Sequence, residues 1–248
     1  MKSIAFIPAR SGSKRIVNKN IKLLKGHPLI AYSITAALDS GVFEKVICVT
    51  DDETYASVAK YYGAEVPKLR PQEISGDKSF DIEWVLWILN CYLEAGESFD
   101  AFSILRPTNP FRLPSTIKRA WEIFSSEATA DSLRAVQKVT EHPGKMWLID
   151  KTRMFPLLPF QNYGVPWHSS QYTSLPEVYV QNASLEIAWT KVALHGGSIA
   201  GNSIIPFVSE GLEGFDINNP EDWILAEHFI DSGEARLVNV KTKPYKIV

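Results

Sequence analysis

Three short apolar segments, each followed by a helical pattern, constrain the fold of this chain more than any other feature. They are Ser3–Pro8, Lys45–Thr50 and Ala101–Leu105. Continuous apolar runs of this length are typical of strands that are buried on both faces. Strands that alternate with helices predict an α/β fold, in which a parallel sheet is covered by helices on both sides.

The segments between these strands carry apolar residues at helical spacing. Ile30, Ile34 and Leu38 repeat in this way, and Gly41 is a typical helix stop. Asp52 is a candidate N-cap for a second helix, and Asn219 for a late one. Further helices are predicted around residues 85–92 and 117–124, and the late helix begins at Pro220.

The loops that follow the three predicted strands are the place to look for chemistry. Ligands of such sheets bind beyond the carboxyl ends of the strands. The loops in question follow Pro8, Thr50 and Leu105. Because these ends meet at one edge of a parallel sheet, the sequence predicts a single site built from all three loops.

The first of these loops is strongly basic. Residues 1–38 contain seven Lys or Arg and no acid, whereas the remaining chain has nineteen cations against twenty-eight acids. Small residues and spaced cations suit a phosphate group, although a solvated basic loop fits the spacing too. Neither a GxxxxGK[ST] motif nor a GxGxxG motif is present, so a P-loop and a dinucleotide fingerprint are excluded. A local basic cluster on an acidic body favours one anionic ligand over a nucleic-acid polymer.

The pattern changes after about residue 131. Residues 140–188, roughly, are predicted to form an insertion or subdomain within a single domain spanning 1–248. Val178–Trp189 (VYVQNASLEIAW) is predicted to be one long strand there. The aromatic content of the region suits a protein–protein interface, and a second packing layer on the same core is the open alternative.

Composition and local sequence patterns bear on the cellular compartment of the protein. No run of eighteen apolar residues occurs, so a membrane span is not expected. The N-terminus lacks a signal-peptide pattern, and Cys48 and Cys91 lie in apolar surroundings typical of reduced core residues. We therefore expect a cytoplasmic protein.

Six segments together resemble the sugar-acid cytidylyltransferases, especially the acylneuraminate group. In chain order they are PARSGSKRIVNKN, VTDDETYASVAKYYGAEVPKLRPQEISGD, RPTNPFR, EHPGKMW, LPEVYVQNASLEI and FDINNPEDW. The resemblance covers nearly the whole chain and follows the order of the family's blocks. It implies a three-layer, Rossmann-like nucleotidyltransferase fold with a mainly parallel mixed sheet and a smaller inserted dimerisation subdomain, and hence a homodimer.

The resemblance also implies a reaction. The anomeric hydroxyl of a nine-carbon 2-keto sugar acid, a nonulosonic acid, attacks the α-phosphate of CTP, and pyrophosphate leaves. The product is a CMP-sugar for cell-surface glycans, and Mg²⁺ is required. Catalysis of this kind consists mainly of positioning and charge neutralisation.

Residue roles follow from the matching motifs. Arg10 and Lys19 correspond to the family's triphosphate-binding pair, and Asp216 to its Mg²⁺ ligand. Asn218 replaces the second acid of the metal motif, which removes one negative charge from the predicted metal site. Other nucleotide-binding positions implied by the resemblance are Ala9, Ser11, Ser13, Lys14, Asn20, Arg70 and Asp77.

The predicted sugar-acid contacts are Arg106, Thr108, Lys145 and Asn182. Arg106 stands where the family often has Gln, and a guanidinium binds a carboxylate well. The same chemistry on the eight-carbon acid Kdo is an alternative, as is a nucleotide-binding regulator that has lost catalysis. The sequence leaves open which nonulosonic acid is used.

Overall fold

The computed structural model describes residues 1–246 and contains a mainly parallel six-stranded sheet. The strand order is β12-β6-β11-β5-β1-β4, and β11 alone runs antiparallel to its neighbours. The strands are β1 Ser3–Pro8, β2 Leu23–Leu24, β3 His27–Pro28, β4 Lys45–Val49, β5 Ala101–Ile104, β6 Ser132–Lys138, β7 Trp147–Asp150, β8 Arg153–Pro156, β9 Gln161–Asn162, β10 Val165–Pro166, β11 Tyr179–Trp189 and β12 Ile204–Val208.

Six α-helices accompany these strands within residues 1–246. They are α1 Leu29–Ser40, α2 Glu53–Tyr61, α3 Asp81–Glu94, α4 Pro114–Ser126, α5 Thr190–Gly196 and α6 Pro220–Asp231. The predicted α/β fold with a mainly parallel sheet is confirmed. The predicted helix ends are confirmed as well, because Asp52 accepts hydrogen bonds from the backbone of Thr54 and Tyr55, and Gly41 ends α1 with a φ of 63°.

The sheet is buried on both faces, as the continuous apolar runs predict. Ala5 and Ile7 of β1 belong to one core cluster, which also takes residues from α1, α2, α4 and α6. Ile4 and Phe6 point to the opposite cluster, built with α3 and α5. Two helical layers therefore enclose one sheet.

Strand β11 is a single long strand, as predicted, but it is interrupted. Its register against β6 shifts between Gln181 and Glu186, and Ala183 has a φ of 54°. In an uninterrupted strand, regular alternation would place Asn182, Ser184 and Glu186 on one face. A β-bulge breaks that alternation and re-aims individual side chains.

The segment that lies outside the main sheet is shorter than the predicted 140–188. It spans 139–178 and contains two hairpins, β7–β8 and β9–β10. The boundary moves because β11 pairs with both β5 and β6 in the middle of the sheet. The sequence assigned β11 to the inserted segment, whereas the structure places it in the six-stranded sheet, with Tyr179–Gln181 paired to β6 and Glu186–Trp189 paired to β5.

In the part of the chain that the structure describes, we find no helix with the length and hydropathy of a membrane span.

Candidate active site

A cleft opens at the carboxyl edge of the sheet, where the loops after β1 and β5 meet the segment before α3. It has a volume of about 220 Å³. A second cavity of about 290 Å³ adjoins it and shares Arg10, Ser13, Lys19 and Asp77 with it. The first cleft is also lined by Asn20, Arg70, Arg106 and Thr108, and the second by Lys14 and Asn218.

The loop after β1 is held in place by an acid from the neighbouring strand. Asp51, which follows β4, accepts hydrogen bonds from the backbone N–H of Ser11 at 2.7 Å and from its hydroxyl at 2.8 Å. Ala9 is buried, and its N–H donates to the carbonyl of Val49 at 2.9 Å. These bonds fix the loop, so its cations point into the cleft in a defined arrangement. Asp51 thus has a positioning role in the opening loop.

Lys19 joins the opening loop to the C-terminal turn. Its Nζ donates to the carbonyl of Ile217 at 2.7 Å. Burial lowers the pKa of Lys19, and the nearby carboxylate of Asp216 opposes that shift. The ammonium therefore lies between the cation-rich loop and the predicted metal turn, although the two are almost two hundred residues apart in sequence.

Asp77 bridges two of the loop's cations. Its carboxylate lies 2.7 Å from Arg10 Nη2 and 2.5 Å from Lys14 Nζ. The hydrogen bond from Lys14, followed by that from Arg10, lowers the pKa of Asp77. This carboxylate satisfies cations that are predicted to bind phosphate, so an entering triphosphate would compete with it.

The turn at residues 216–218 carries an unsatisfied carboxylate oxygen. Asp216 Oδ2 accepts a hydrogen bond from Asn218 Nδ2 at 2.6 Å, whereas Oδ1 is buried without a hydrogen-bond partner. A buried carboxylate oxygen without a donor suits a hard cation such as Mg²⁺. Within residues 1–246, no group of three or more His, Cys, Asp or Glu side chains could hold a metal. Mg²⁺ tolerates this, because it keeps several waters and uses one or two carboxylates together with substrate phosphates.

Arg106 contacts two carboxylates of the protein itself. Its Nη2 lies 2.5 Å from Asp81 Oδ2 and 3.0 Å from Glu186 Oε1. Glu186 is almost fully buried and also pairs with Arg134. Acidic and guanidinium side chains therefore alternate from the cleft wall into the sheet. Their order is Asp81, Arg106, Glu186 and Arg134. Arg106 lines the cleft, but much of its charge is already balanced there.

Arg70 and Thr108 both line the cleft, and each is held in place by a hydrogen bond. The Nε of Arg70 donates to the carbonyl of Ile74 at 2.8 Å, its guanidinium lies 5.8 Å from the Trp84 ring centroid, and burial lowers its pKa. The carbonyl of Thr108 accepts a hydrogen bond from the N–H of Ile217 at 2.9 Å. This bond joins the turn after β5 to the predicted metal turn.

Lys145 and Asn182 lie apart from the two cavities. Lys145 Nζ donates to the carbonyls of His168 and Ser170 within the 139–178 segment. Asn182 lies within the bulge in β11, and its Nδ2 donates to Ser209 Oγ at 2.8 Å. Both side chains are thus satisfied by protein groups of the same chain, and their contact with a sugar acid stays a prediction.

Among the residues of the first cleft that had no predicted role, three have polar or aromatic side chains: Ser79, Asp81 and Trp84. Asp81 and Trp84 belong to the first turn of α3. An acid at the start of a helix usually stabilises the helix N-terminus, and a Trp at helical spacing usually packs in the hydrophobic core. Neither residue type therefore indicated a binding role. The only available signal was their position shortly after the predicted nucleotide residues Arg70 and Asp77.

The fold and the cleft together define an α/β nucleotidyltransferase. A mainly parallel sheet carries at its carboxyl edge a fixed basic loop, and this loop faces a turn with a free carboxylate oxygen. Residues 4–141 match the family model described as "Cytidylyltransferase". The chain belongs to this family.

Curated relatives agree with the family. The chain is 35% identical over 241 residues, 96% of its length, to the whole of the CMP-N,N'-diacetyllegionaminic acid synthase of Legionella pneumophila. It is 34% identical over 225 residues, 91% of its length and 51% of the relative, to the N-acylneuraminate cytidylyltransferase of Escherichia coli. A pseudaminic acid cytidylyltransferase of Campylobacter jejuni is 39% identical over 124 residues, half of this chain and 53% of that protein.

Solved structures share the fold at low sequence identity. A CMP-2-keto-3-deoxy-manno-octonic acid synthetase in complex with CTP has a TM-score of 0.67 at 11% identity, covering 94% of this chain and all of that one. A 4-diphosphocytidyl-2C-methyl-D-erythritol synthase from Anaerococcus prevotii has a TM-score of 0.60 at 12% identity, covering 93% and 98%. These matches support the nucleotidyltransferase fold.

Proposed function

We propose that this enzyme couples CTP to a nine-carbon 2-keto sugar acid, a nonulosonic acid, to give a CMP-sugar and pyrophosphate. The observation that carries the proposal is the meeting of Arg10 and Lys19 with the Asp216 turn around adjoining cavities. The relatives that cover most of the chain bear the names of enzymes that act on such acids. The substrate panel described below identifies which nonulosonic acid is used.

The geometry supports a mechanism based on charge neutralisation. Arg10 and Lys19 balance negative charge on the triphosphate, and that charge grows on the pyrophosphate as it leaves. The backbone of the loop is held in place before the nucleotide binds, because Asp51 fixes Ser11 next to Arg10. The anomeric hydroxyl of the sugar acid attacks the α-phosphate in the same cleft.

The Asp216 turn is the proposed magnesium site. Asp216 Oδ1 offers the carboxylate ligand, and Asn218 orients that carboxylate through the bond to Oδ2. Bound Mg²⁺ supplies further positive charge to the phosphates. Asp222 holds the turn from the other side, since its Oδ2 accepts hydrogen bonds from the backbone of Asn218 and Asn219.

The central experiment measures pyrophosphate release from CTP and Mg²⁺ with a panel of legionaminic, sialic and pseudaminic acids and Kdo. Arg10→Ala and Lys19→Ala should each lower kcat/KM by about a hundredfold or more, because each removes a charge contact to the phosphates. Lys25→Ala is the matched control, since Lys25 is a cation of the same loop region that pairs with Asp231 away from the cleft. Unchanged turnover in the two cleft variants would refute the proposal. Turnover with Kdo alone would favour the eight-carbon alternative, and CTP binding without turnover would favour a regulator.

We also propose a cytoplasmic homodimer. Cys48 and Cys91 are both free, which suits a reducing compartment. The hairpin β7–β8 exposes large apolar side chains, among them Ile149, whose exposed fraction is 79%. Exposed apolar patches of this kind mark interaction sites, and a second copy of the chain is the proposed occupant.

A further inference from the structure

Asp81 places an acceptor-only group in the wall of the cleft. It is the first residue of α3, and about 30% of its side chain is exposed. Oδ1 accepts a hydrogen bond from Trp84 Nε1 at 2.9 Å, and Oδ2 one from Arg106 Nη2 at 2.5 Å. A carboxylate has about four lone-pair sites, so each oxygen retains one for a ligand.

Buried charges behind Asp81 keep it ionised and in place. Arg106 is held by Glu186, which pairs with Arg134 deeper in the sheet. Burial alone would raise the pKa of Asp81, but the guanidinium of Arg106 outweighs burial and the pKa is lowered. Asp81 is accordingly a fixed hydrogen-bond acceptor and a poor general base.

Donors lie next to this acceptor. Arg70 lines the same cleft, and its positive charge acts on Asp81. The Trp84 side chain contacts both, because its Nε1 donates to Asp81 and its ring centroid lies 5.8 Å from the Arg70 guanidinium. One wall of the cleft thus combines a negative acceptor with a positive donor beside an aromatic ring.

This combination matches the edge of cytosine. Cytosine presents an amino donor at C4 next to acceptors at N3 and O2, whereas uracil presents a carbonyl oxygen at C4. A carboxylate pairs with the amino group of cytosine and repels the uracil carbonyl. Groups arranged to hydrogen-bond one ligand reject an analogue that leaves them unpaired.

We propose that Asp81 is the residue that selects cytosine over uracil, by accepting a hydrogen bond from the exocyclic amino group of CTP. The inference rests on the proposed function, since it requires a nucleoside triphosphate in this cleft. Arg106 and Glu186 act through Asp81 as positioning residues. Trp84 fixes the orientation of the carboxylate from the opposite side.

Equilibrium binding of CTP and UTP, without any sugar acid, tests this inference. The wild-type protein should prefer CTP, and Asp81→Asn should reduce the CTP-to-UTP affinity ratio by about tenfold to a hundredfold. Glu94→Gln is the control, because it removes an acid from the opposite end of the same helix. A ratio that Asp81→Asn leaves unchanged, in a variant with a wild-type melting temperature, would overturn the inference.

A second measurement uses the wild-type protein alone and so does not depend on a variant that folds. CTP doubly methylated on the amino group has no donor there, and its affinity should fall at least tenfold. Equal affinity for this analogue and CTP would overturn the inference. If the wild-type protein binds no nucleoside triphosphate, the proposed function fails together with it. If it prefers CTP while Asp81→Asn keeps the preference, only the role of Asp81 fails.

Discussion

Buried charged side chains control several features of the cleft. Glu186 lies between Arg106 and Arg134, and only about 3% of its side chain is exposed. Removing one member of a buried ion pair leaves an uncompensated charge, which costs far more than the pair contributes. Glu186→Ala should therefore lower the free energy of unfolding by about 3–5 kcal/mol, as measured by urea denaturation.

Glu177→Ala provides the control for this prediction. Glu177 also pairs with a cation, Lys138, but both side chains are more than 60% exposed. Exposed pairs of this kind contribute little because water and salt screen them. If both variants had the same unfolding midpoint, the buried network would have no special role in stability.

Lys19 should make nucleotide binding sensitive to alkaline pH. Its pKa is lowered by burial, so it loses its charge at a lower pH than an ordinary lysine. We expect kcat/KM for CTP to fall as the pH rises, with an inflection below 10.5. Lys19→Arg should remove the inflection, because arginine stays protonated throughout this range. An identical pH profile in the variant would assign the titration to another group.

Arg112 shows how a residue-scale expectation can fail without tertiary information. From its position just before α4 alone, one would expect Arg112 to pair with an acid in the first turn of that helix, but that turn contains none. The structure buries Arg112, where it donates to Ser33 Oγ at 2.8 Å and to the carbonyls of Ser184 and Arg106. Burial lowers its pKa to about 9. Arg112 therefore ties the turn after β5 to α1 and to the bulge in β11.

At the scale of elements, the start of α6 shapes the proposed metal turn. Asn219 caps the helix, since its Oδ1 accepts a hydrogen bond from the N–H of Asp222 at 3.0 Å. Asp222 in return binds the backbone of Asn218 and Asn219. The sequence predicted this cap correctly, but the link between the cap and Asp216 depends on the folded turn.

Asp222→Ala should loosen this turn. The loss of a capping interaction should reduce stability by about 1 kcal/mol. Because Asn218 would also lose its backbone anchor, the Mg²⁺ concentration for half-maximal activity should rise several-fold in an activity titration. Glu221→Ala is the matched control, an exposed acid in the same first turn. An unchanged Mg²⁺ requirement in Asp222→Ala would separate the cap from the metal turn.

At the scale of the whole molecule, the 139–178 segment stands apart from the core of the sheet domain. Its apolar side chains do not fill that core, so they are available for an interface. All residues of β7 and nearly all of β8 are exposed in the single chain. Ile149→Lys should therefore convert a dimer into a monomer in analytical ultracentrifugation, because it places a charge in the proposed interface. Ile224→Lys changes an equally apolar exposed residue on α6 and should leave the dimer intact. A dimer that persists in Ile149→Lys would place the interface elsewhere.

The sequence by itself determined the layered architecture of this protein. Buried parallel strands appear in the sequence as continuous apolar runs. The helices that cover them appear as apolar residues at helical spacing. Both patterns are local because they follow from the geometry of a single strand or helix. The basic character of the loop after Pro8 and the cap at Asn219 are local in the same sense. These features were therefore predictable before any contact between distant residues was known.

Only the tertiary structure decided which groups meet across the cleft. Arg106 lies between Asp81 and Glu186, and Lys19 lies against the turn at Ile217, through contacts that span 25 to 198 positions in the chain. Neither residue spacing nor composition specifies such partners. They depend on strand order and on a bulge in β11, which together fix where each side chain points, and thereby whether a charge is free for substrate or balanced by the protein.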